Sequence, residues 1–321
     1  MINKIVAIQG NHPTTLNPKT DTSIFLAKEA QEKKYKIFYY DPKDLSVIKN
    51  KIRALGFFIE FDYEKKKFFK ILKKQKLDLL KCKFILIRQD PPFNMEYISS
   101  TYILDTIRNK VKIINNPASI RNVSEKLYSI KYQKFMPSTL FSQNISEIKE
   151  FFRNHKRVVL KPVNSFSGND IYFLSKFNLK LIKKIIKKHD YIMCQKFLPN
   201  ISKGDKRVFI INGKVCGAIS RVPKKGSFLS NLSKGANAIN TNLTKKEKKI
   251  LSFFKSLAIN LDILFSFKLS LILTGFAPLL ILLKIDPFFG ILEIAPQTLP
   301  LIIKTLLSPL LILGKNFCNI M

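Results

Sequence analysis

The chain has little of what most readily declares a chemistry. Its four cysteines (Cys82, Cys194, Cys216 and Cys318) lie far apart with no C-x-x-C spacing, and the three histidines (His12, His155 and His189) pair with none of them. Neither a zinc site nor a disulfide framework follows, no metal ligand is assigned, and a reducing cytoplasm is the natural compartment. The first stretch, Met1 to Ile8, is one short strand, too brief for the apolar core of a signal peptide. Acids are few as well: 22 Asp and Glu stand against 56 Lys and Arg, a formal charge of +34.

Arginine is scarcer than that charge implies, with eight in the whole chain, while lysine is spread along it together with Ile, Asn and Phe. Nucleic-acid readers depend on arginine forks and clustered basic patches, and neither is present. The excess has the look of an A/T-rich coding sequence drifting towards Lys, Ile, Asn and Phe, with lysines solvated on helix faces. No nucleic-acid partner is expected.

A length of 321 residues leaves room for two or three domains. Residues 1–120 alternate strand and helix in the manner of a three-layer α/β domain. Strands are expected at 5–8, 35–40 and 84–87 and up to Ile114, with helices at 22–33 (capped by Thr20-Asp21-Thr22) and 97–108. The aromatic-rich 57–69 suits either a hairpin or a helix. A helix with Ser119 at its start is expected to carry Glu125-Lys126-Leu127. Beyond it, residues 121–265 read as two antiparallel α+β subdomains. Their elements are a helix at 145–154, strand-loop-strand at 158–171, a lysine-coated helix at 179–188 and a buried strand at 191–199. A hairpin at 204–215 turning on Asn212-Gly213, a long polar loop at 226–240 and a helix at 245–261 complete them.

Two stretches carry chemistry. Val158-Val159-Leu160-Lys161-Pro162 is an apolar run ending in a lysine, and the Ser/Gly/Asn-rich segment 163–170 follows. A lysine on a strand is a fixed point charge, and loop N–H groups suit phosphate oxygens. The loop matches neither G-x-x-x-x-G-K-[ST] nor G-x-G-x-x-G, so an ordinary hairpin with an edge lysine stays equally open. The second stretch, Arg88-Gln89-Asp90-Pro91-Pro92-Phe93, leaves the end of a strand. Ligands gather at the carboxyl ends of parallel strands, which makes Arg88 and Asp90 candidates; the alternative is a rigid turn with solvent charges.

The order of these motifs resembles that of the bacterial glutathione synthetase family, which has the ATP-grasp fold. The matching segments are Arg88 to Phe93, Thr101-Tyr102-Ile103-Leu104, Asn116-Pro117, Asn122 to Leu127, Leu160-Lys161-Pro162, Gln195 to Pro199 and Gly204-Asp205-Lys206-Arg207-Val208. They cover roughly residues 1–265. The resemblance implies an α/β fold: an N-terminal parallel-sheet (pre-ATP-grasp) domain at 1–120, then a two-subdomain α+β ATP-grasp unit at 121–265. It implies an ATP-dependent carbon–nitrogen ligase that joins γ-glutamylcysteine to glycine through an acyl phosphate, using ATP and Mg2+. On this basis Lys126 and Lys161 contact the ATP phosphates, the Gly168 loop covers them, and Gln195, Lys196, Phe197 and Leu198 hold the adenine. Arg207 is the expected catalytic residue, facing the phosphoryl group in transfer. Arg88, Asp90 and Asn231 are expected at the dipeptide. A cytoplasmic homotetramer, away from membranes, is also implied.

The chain departs from the family pattern in four places. The family phosphate loop carries two or three glycines, and here Gly168 is alone; Leu229 stands where the family has an arginine; Gln9-Gly10-Asn11 replaces Met-Asp-Pro. After Ser266 the family reads Gly-Ile-Asp and then Glu-hydrophobic-Asn, the magnesium ligands, whereas here Phe267-Lys268-Leu269 begins an atypical hydrophobic tail. Residues 266–321 hold fifteen leucines, nine isoleucines, five prolines and only Asp286 and Glu293 as acids. Three explanations stand open: a shifted reading frame, a membrane anchor in two apolar runs shorter than the roughly 20 residues of a span, or a divergent subdomain. The tail pattern shows no clear alternation and is not expected to replace the family hairpin well. An impaired nucleotide-binding remnant lacking the magnesium ligands is accordingly the alternative function.

Overall fold

The computed structural model describes residues 4–18, 21–124, 126–166, 168–211 and 214–251, together with the backbone of 267–270 and 278–283. The first part of the chain runs β1 (Ile5–Gln9), α1 (Thr22–Glu32), β2 (Lys36–Tyr40), β3 (Leu45–Ile48), β4 (Lys51–Phe61), β5 (Phe69–Asp78), β6 (Phe84–Ile87), α2 (Met95–Asp105), β7 (Lys112–Ile114) and α3 (Pro117–Asn122). Strands β2, β1, β6 and β7 form the parallel core of one sheet. β4 extends it antiparallel to β2, and β3 and β5 pair with β4. Successive side chains point to opposite faces, so Val6, Ile8, Ile37, Tyr39, Phe84 and Leu86 meet Ile24, Ala27 and Ala30 of α1. The intervening Ala7, Phe38, Tyr40, Ile85 and Ile87 meet Leu104 of α2 with Ile107 and Val111. Burial on both faces explains why β1 and β6 are apolar runs without alternation.

Caps fix where the helices begin. Asp21 Oδ1 accepts from Ser23 N at 2.7 Å at the start of α1, and Asn94 Oδ1 accepts from Tyr97 N at 3.0 Å, starting α2 earlier than residue 97. The ambiguous 57–69 is a hairpin, with β4 and β5 longer than the aromatic stretch. One expectation is corrected. Asn116 caps α3, with Pro117 in the first turn, and the helix stops at Asn122 because Val123 leaves helical geometry at φ −120°. Lys126 therefore stands beyond α3, just before 3-10 turns at Leu127–Phe135.

The second sheet, in the order β10-β9-β11-β8, is built from β8 (Thr139–Ser142), β9 (Val158–Pro162), β10 (Tyr172–Leu174) and β11 (Ile192–Lys196). Its helices are α4 (Ile145–His155) and α5 (Leu179–His189). Val158, Leu160, Leu174, Ile192 and Cys194 pack under Ile148 of α4 and Ile182 and Ile185 of α5. Lys161 and Gln195, out of phase with those residues, fall on the face away from the helices.

The third sheet runs β14-β13-β12-β16-β15, with β12 (Asp205–Ile211), β13 (Lys214–Val222), β14 (Asn237–Asn240), β15 (Phe267–Ser270) and β16 (Pro278–Leu283). The loop expected at 226–240 gives its last four residues to β14, which pairs with β13 from Val222↔Asn237 to Ile219↔Asn240. The tail also departs from expectation. β16 lies parallel to β12 from Lys206↔Pro278 to Ile211↔Leu283, and β15 pairs antiparallel with it. Residues 245–251 are helical, while the expected turn at 212–213, the remainder of the 245–261 helix, Asp286 and Glu293 lie outside the described residues. Among the described residues no helix is long and apolar enough to cross a membrane.

Candidate functional site

Lys161 leaves β9 towards the side chain of Gln195 on β11, donating from Nζ to Oε1 at 2.7 Å. Gln195 is buried, and its Nε2 donates to Thr139 Oγ1 on β8 at 2.9 Å. Three adjacent strands thus fix one ammonium on the open face of the second sheet. Lys126 serves the loop after β9: its Nζ donates to the Val163 carbonyl at 3.2 Å and also to that of Ser165.

Asp205 and Arg221 face each other across β12 and β13 and form a two-pronged ion pair, with Nε to Oδ1 at 2.7 Å. Arg207, two residues along the same face of β12, is 1% exposed and the largest fully buried side chain among the described residues. Burial raises the Asp205 carboxyl above the ordinary range, against the lowering influence of Arg221, Arg207 and Lys161. Lys161 from the second sheet and Arg207 from the third therefore act on one carboxylate. On the opposite face of β12, Lys206 Nζ pairs with Glu247 at 3.0 Å and donates to the Asn242 carbonyl at 3.0 Å.

The loops at 164–170 and 226–236 touch. Gly168, at φ +77°, lies so close to Asn231 that a Cβ there would stand 2.7 Å from the Asn231 Oδ1. Lys234 Nζ donates to Asn169 Oδ1 at 2.7 Å. At the end of β11, Lys196 N donates to the Ser138 carbonyl and Phe197 N to that of Arg157, both at 2.9 Å. The Phe197 ring lies 4.5 Å from the Arg157 guanidinium and 4.6 Å from the Phe173 ring, and Leu198 is half-buried beside it.

Arg88 and Asp90 form a separate group at the carboxyl ends of β1 and β6. Arg88 Nε donates to Ser23 Oγ at 3.4 Å, and Asp90 N donates to Asn11 Oδ1 at 2.9 Å. Burial and then Asp21 raise the Asp90 carboxyl, with Arg88 opposing them. Burial pushes the nearby Tyr97 hydroxyl up to about 12. The thiols of Cys82 and Cys194 are likewise pushed up to about 12 by burial, which suits core packing and not nucleophilic chemistry. Sequence reasoning did not assign Thr139, Asn169, Asp205, Arg221 or Lys234. Asp205 sits inside a quoted motif, but the partners of the others follow only from strand register and loop contact.

Comparison with known proteins places the chain among ATP-dependent carbon–nitrogen ligases. D-alanyl-alanine synthetase A from Vibrio cholerae shares the fold, with a TM-score of 0.53 at 14% identity, covering 80% of each chain. Residues 5–121 match the prokaryotic glutathione synthetase N-terminal domain and residues 125–264 its ATP-grasp domain. The glutathione synthetase of Mesorhizobium japonicum is 33% identical over 250 residues, 76% of this chain and 80% of the relative. That of Agrobacterium fabrum is 34% identical over 253 residues, 77% and 79% of the two chains. The chain belongs to the prokaryotic glutathione synthetase family. The matched residues end at 264, beside the change of composition at 266.

Magnesium, which this family implies, finds no suitable donors in the strands that follow. β15 reads Phe267-Lys268-Leu269-Ser270 and β16 reads Pro278-Leu279-Leu280-Ile281-Leu282-Leu283, with no carboxylate or carboxamide in either. A hard divalent cation is held by such oxygens, so these residues do not fit it.

Proposed function

We propose that the chain binds ATP between its second and third sheets and uses it to join γ-glutamylcysteine to glycine. Residues 1–120 would form the substrate-side domain and 121–265 the nucleotide unit. The observation that carries this reading is the Lys161 ammonium held by Gln195, itself held by Thr139, across three adjacent strands, with Lys126 seated at a carbonyl of the loop that follows β9. Phosphoryl transfer asks for fixed positive charge where negative charge is shared among oxygens; Lys161 is held by its strand and by the buried Gln195, and Arg207 is buried on β12.

The carboxylate oxygen of the cysteinyl residue attacks the γ-phosphorus, the bond to the β-phosphate oxygen breaks, and ADP leaves an acyl phosphate. Glycine's amine then attacks the carbonyl carbon, the bond to phosphate breaks, and the amine gives up its proton. Lys161, oriented by Gln195, and Lys126, seated at the loop carbonyls, hold phosphates. Arg207 faces the transferring group, the backbone at Lys196, Phe197 and Leu198 borders the adenine, and Arg88, Asp90 and Asn231 meet the dipeptide. Because β15 and β16 offer no metal ligands, turnover by these residues alone is slow. That same observation favours a second reading, a nucleotide-binding remnant. Hydroxylamine separates the two: ATP and γ-glutamylcysteine without glycine should yield ADP and a trapped dipeptide hydroxamate. Nucleotide binding with no hydroxamate would support the remnant instead.

A further inference from the structure

We infer that Lys234 is a positioning residue that latches the loop at 226–236 onto the loop at 164–170, coupling dipeptide binding to nucleotide binding. This rests on the ligase reading above for the identity of the ligands. The latch itself rests on geometry. Residues 232–234 form a 3-10 turn closed by Lys234 N to the Asn231 carbonyl at 2.9 Å and Gly235 N to the Leu232 carbonyl at 2.9 Å. Asn231 immediately precedes this turn and Lys234 ends it. Both meet the other loop at adjacent residues, Asn231 against Gly168 and Lys234 against Asn169. A third contact lies beside them, with the Phe228 ring 5.9 Å from that of Phe173 on β10.

The receiving loop is tethered on its far side. Asp170 Oδ2 accepts from Lys188 Nζ at 2.9 Å and lies 3.0 Å from His189 Nε2, both at the end of α5. A bond to Asn169 therefore joins the 226–236 loop to the rigid second sheet and its helices. A dipeptide that needs Asn231 in place would favour the latched state, and so would a nucleotide beneath Gly168. Two ligands that favour one state raise each other's affinity by the same factor.

The test uses the full chain with Lys234→Ala, Lys234→Arg, Asn169→Ala and the Lys234→Ala/Asn169→Ala pair. Amide hydrogen exchange without ligand should rise about fivefold across 164–170 in Lys234→Ala, the size of one net hydrogen bond. It should stay near wild type in Lys234→Arg and rise no further in the double variant. With AMP-PNP as probe, the gain in its affinity on adding γ-glutamylcysteine should shrink in Lys234→Ala and persist in Lys234→Arg. Unchanged exchange across 164–170 in Lys234→Ala overturns the latch. An undiminished dipeptide effect overturns the coupling. A wild-type chain that binds neither probe sinks the ligase reading and the coupling, while the exchange measurement still decides the latch.

Discussion

Lys161 and Gln195 meet at 2.7 Å on neighbouring antiparallel strands, and Thr139 holds Gln195 from the third strand. The lysine is thus aimed before any nucleotide arrives. Replacing Lys161 with Met should weaken AMP-PNP binding by roughly tenfold to a hundredfold, the worth of a hydrogen bond to a charged group. Gln195→Leu should cost less, about threefold to tenfold, because the ammonium remains but loses its guide. Isothermal titration gives both values; equal losses from the two changes would contradict the division of roles.

Asp205 and Arg221 are buried partners, so removing one strands the other. Arg221→Met should destabilise the chain by roughly 3–5 kcal/mol, and Asp205→Leu with Arg221→Met should recover much of that loss. Urea midpoints of the single and double variants check this. A double variant as unstable as Arg221→Met alone would mean that the pair matters for packing and not for charge.

The Asp170 carboxyl is held below its usual range, first by the hydrogen bond from Lys188, with Tyr172 and the charges of Lys188 and His189 adding to it. Its pKa is lower folded than unfolded, so its stabilisation is complete above the ordinary value of 3.8 and is lost as pH falls through the lowered value. Asp170→Asn should therefore lower the melting temperature at pH 7, and the gap should close as pH falls below the ordinary carboxyl value of 3.8. A gap that is constant with pH would assign the effect to shape alone.

Legibility in the sequence followed the strength of local signals. β1, α1 and β9 were readable because their apolar runs and the Asp21 cap act within a few residues. β5 was hidden, since Lys70, Lys73, Lys74 and Lys76 on an exposed strand leave no apolar run by which to recognise it. Lys126 was placed on a helix because the early cap at Asn116 and the break at Val123 depend on backbone geometry. The loop contacts lie further from reach: Asn169 and Lys234 are 65 residues apart and meet only once both sheets have formed. β16 was missed because its apolar run shows neither alternation nor a helical stripe, and it takes its place only beside β12.

Gly168→Ala tests the close approach of the loops. A methyl group there meets Asn231 at 2.7 Å, and φ +77° is itself costly for an L residue. The variant should keep its overall melting temperature within a few degrees while AMP-PNP affinity falls about tenfold, because the loop is at the surface and the strain is local. Unaltered affinity would place the loop away from the nucleotide.

The most direct measurement counts glutathione and ADP formed from ATP, γ-glutamylcysteine and glycine with magnesium in excess. Three proteins are compared: the chain itself, its Lys161→Met variant, and a version in which residues from 266 onward give way to a hairpin with the family's Asp, Glu and Asn. The account predicts slow formation of glutathione, one per ADP, which Lys161→Met abolishes. It predicts at least about a hundredfold faster formation in the repaired version, the scale of arranged charge stabilisation. Equal rates with and without the repair would contradict the misfit assigned to β15 and β16. If neither version makes glutathione while AMP-PNP still binds, the ligase reading of this chain is wrong.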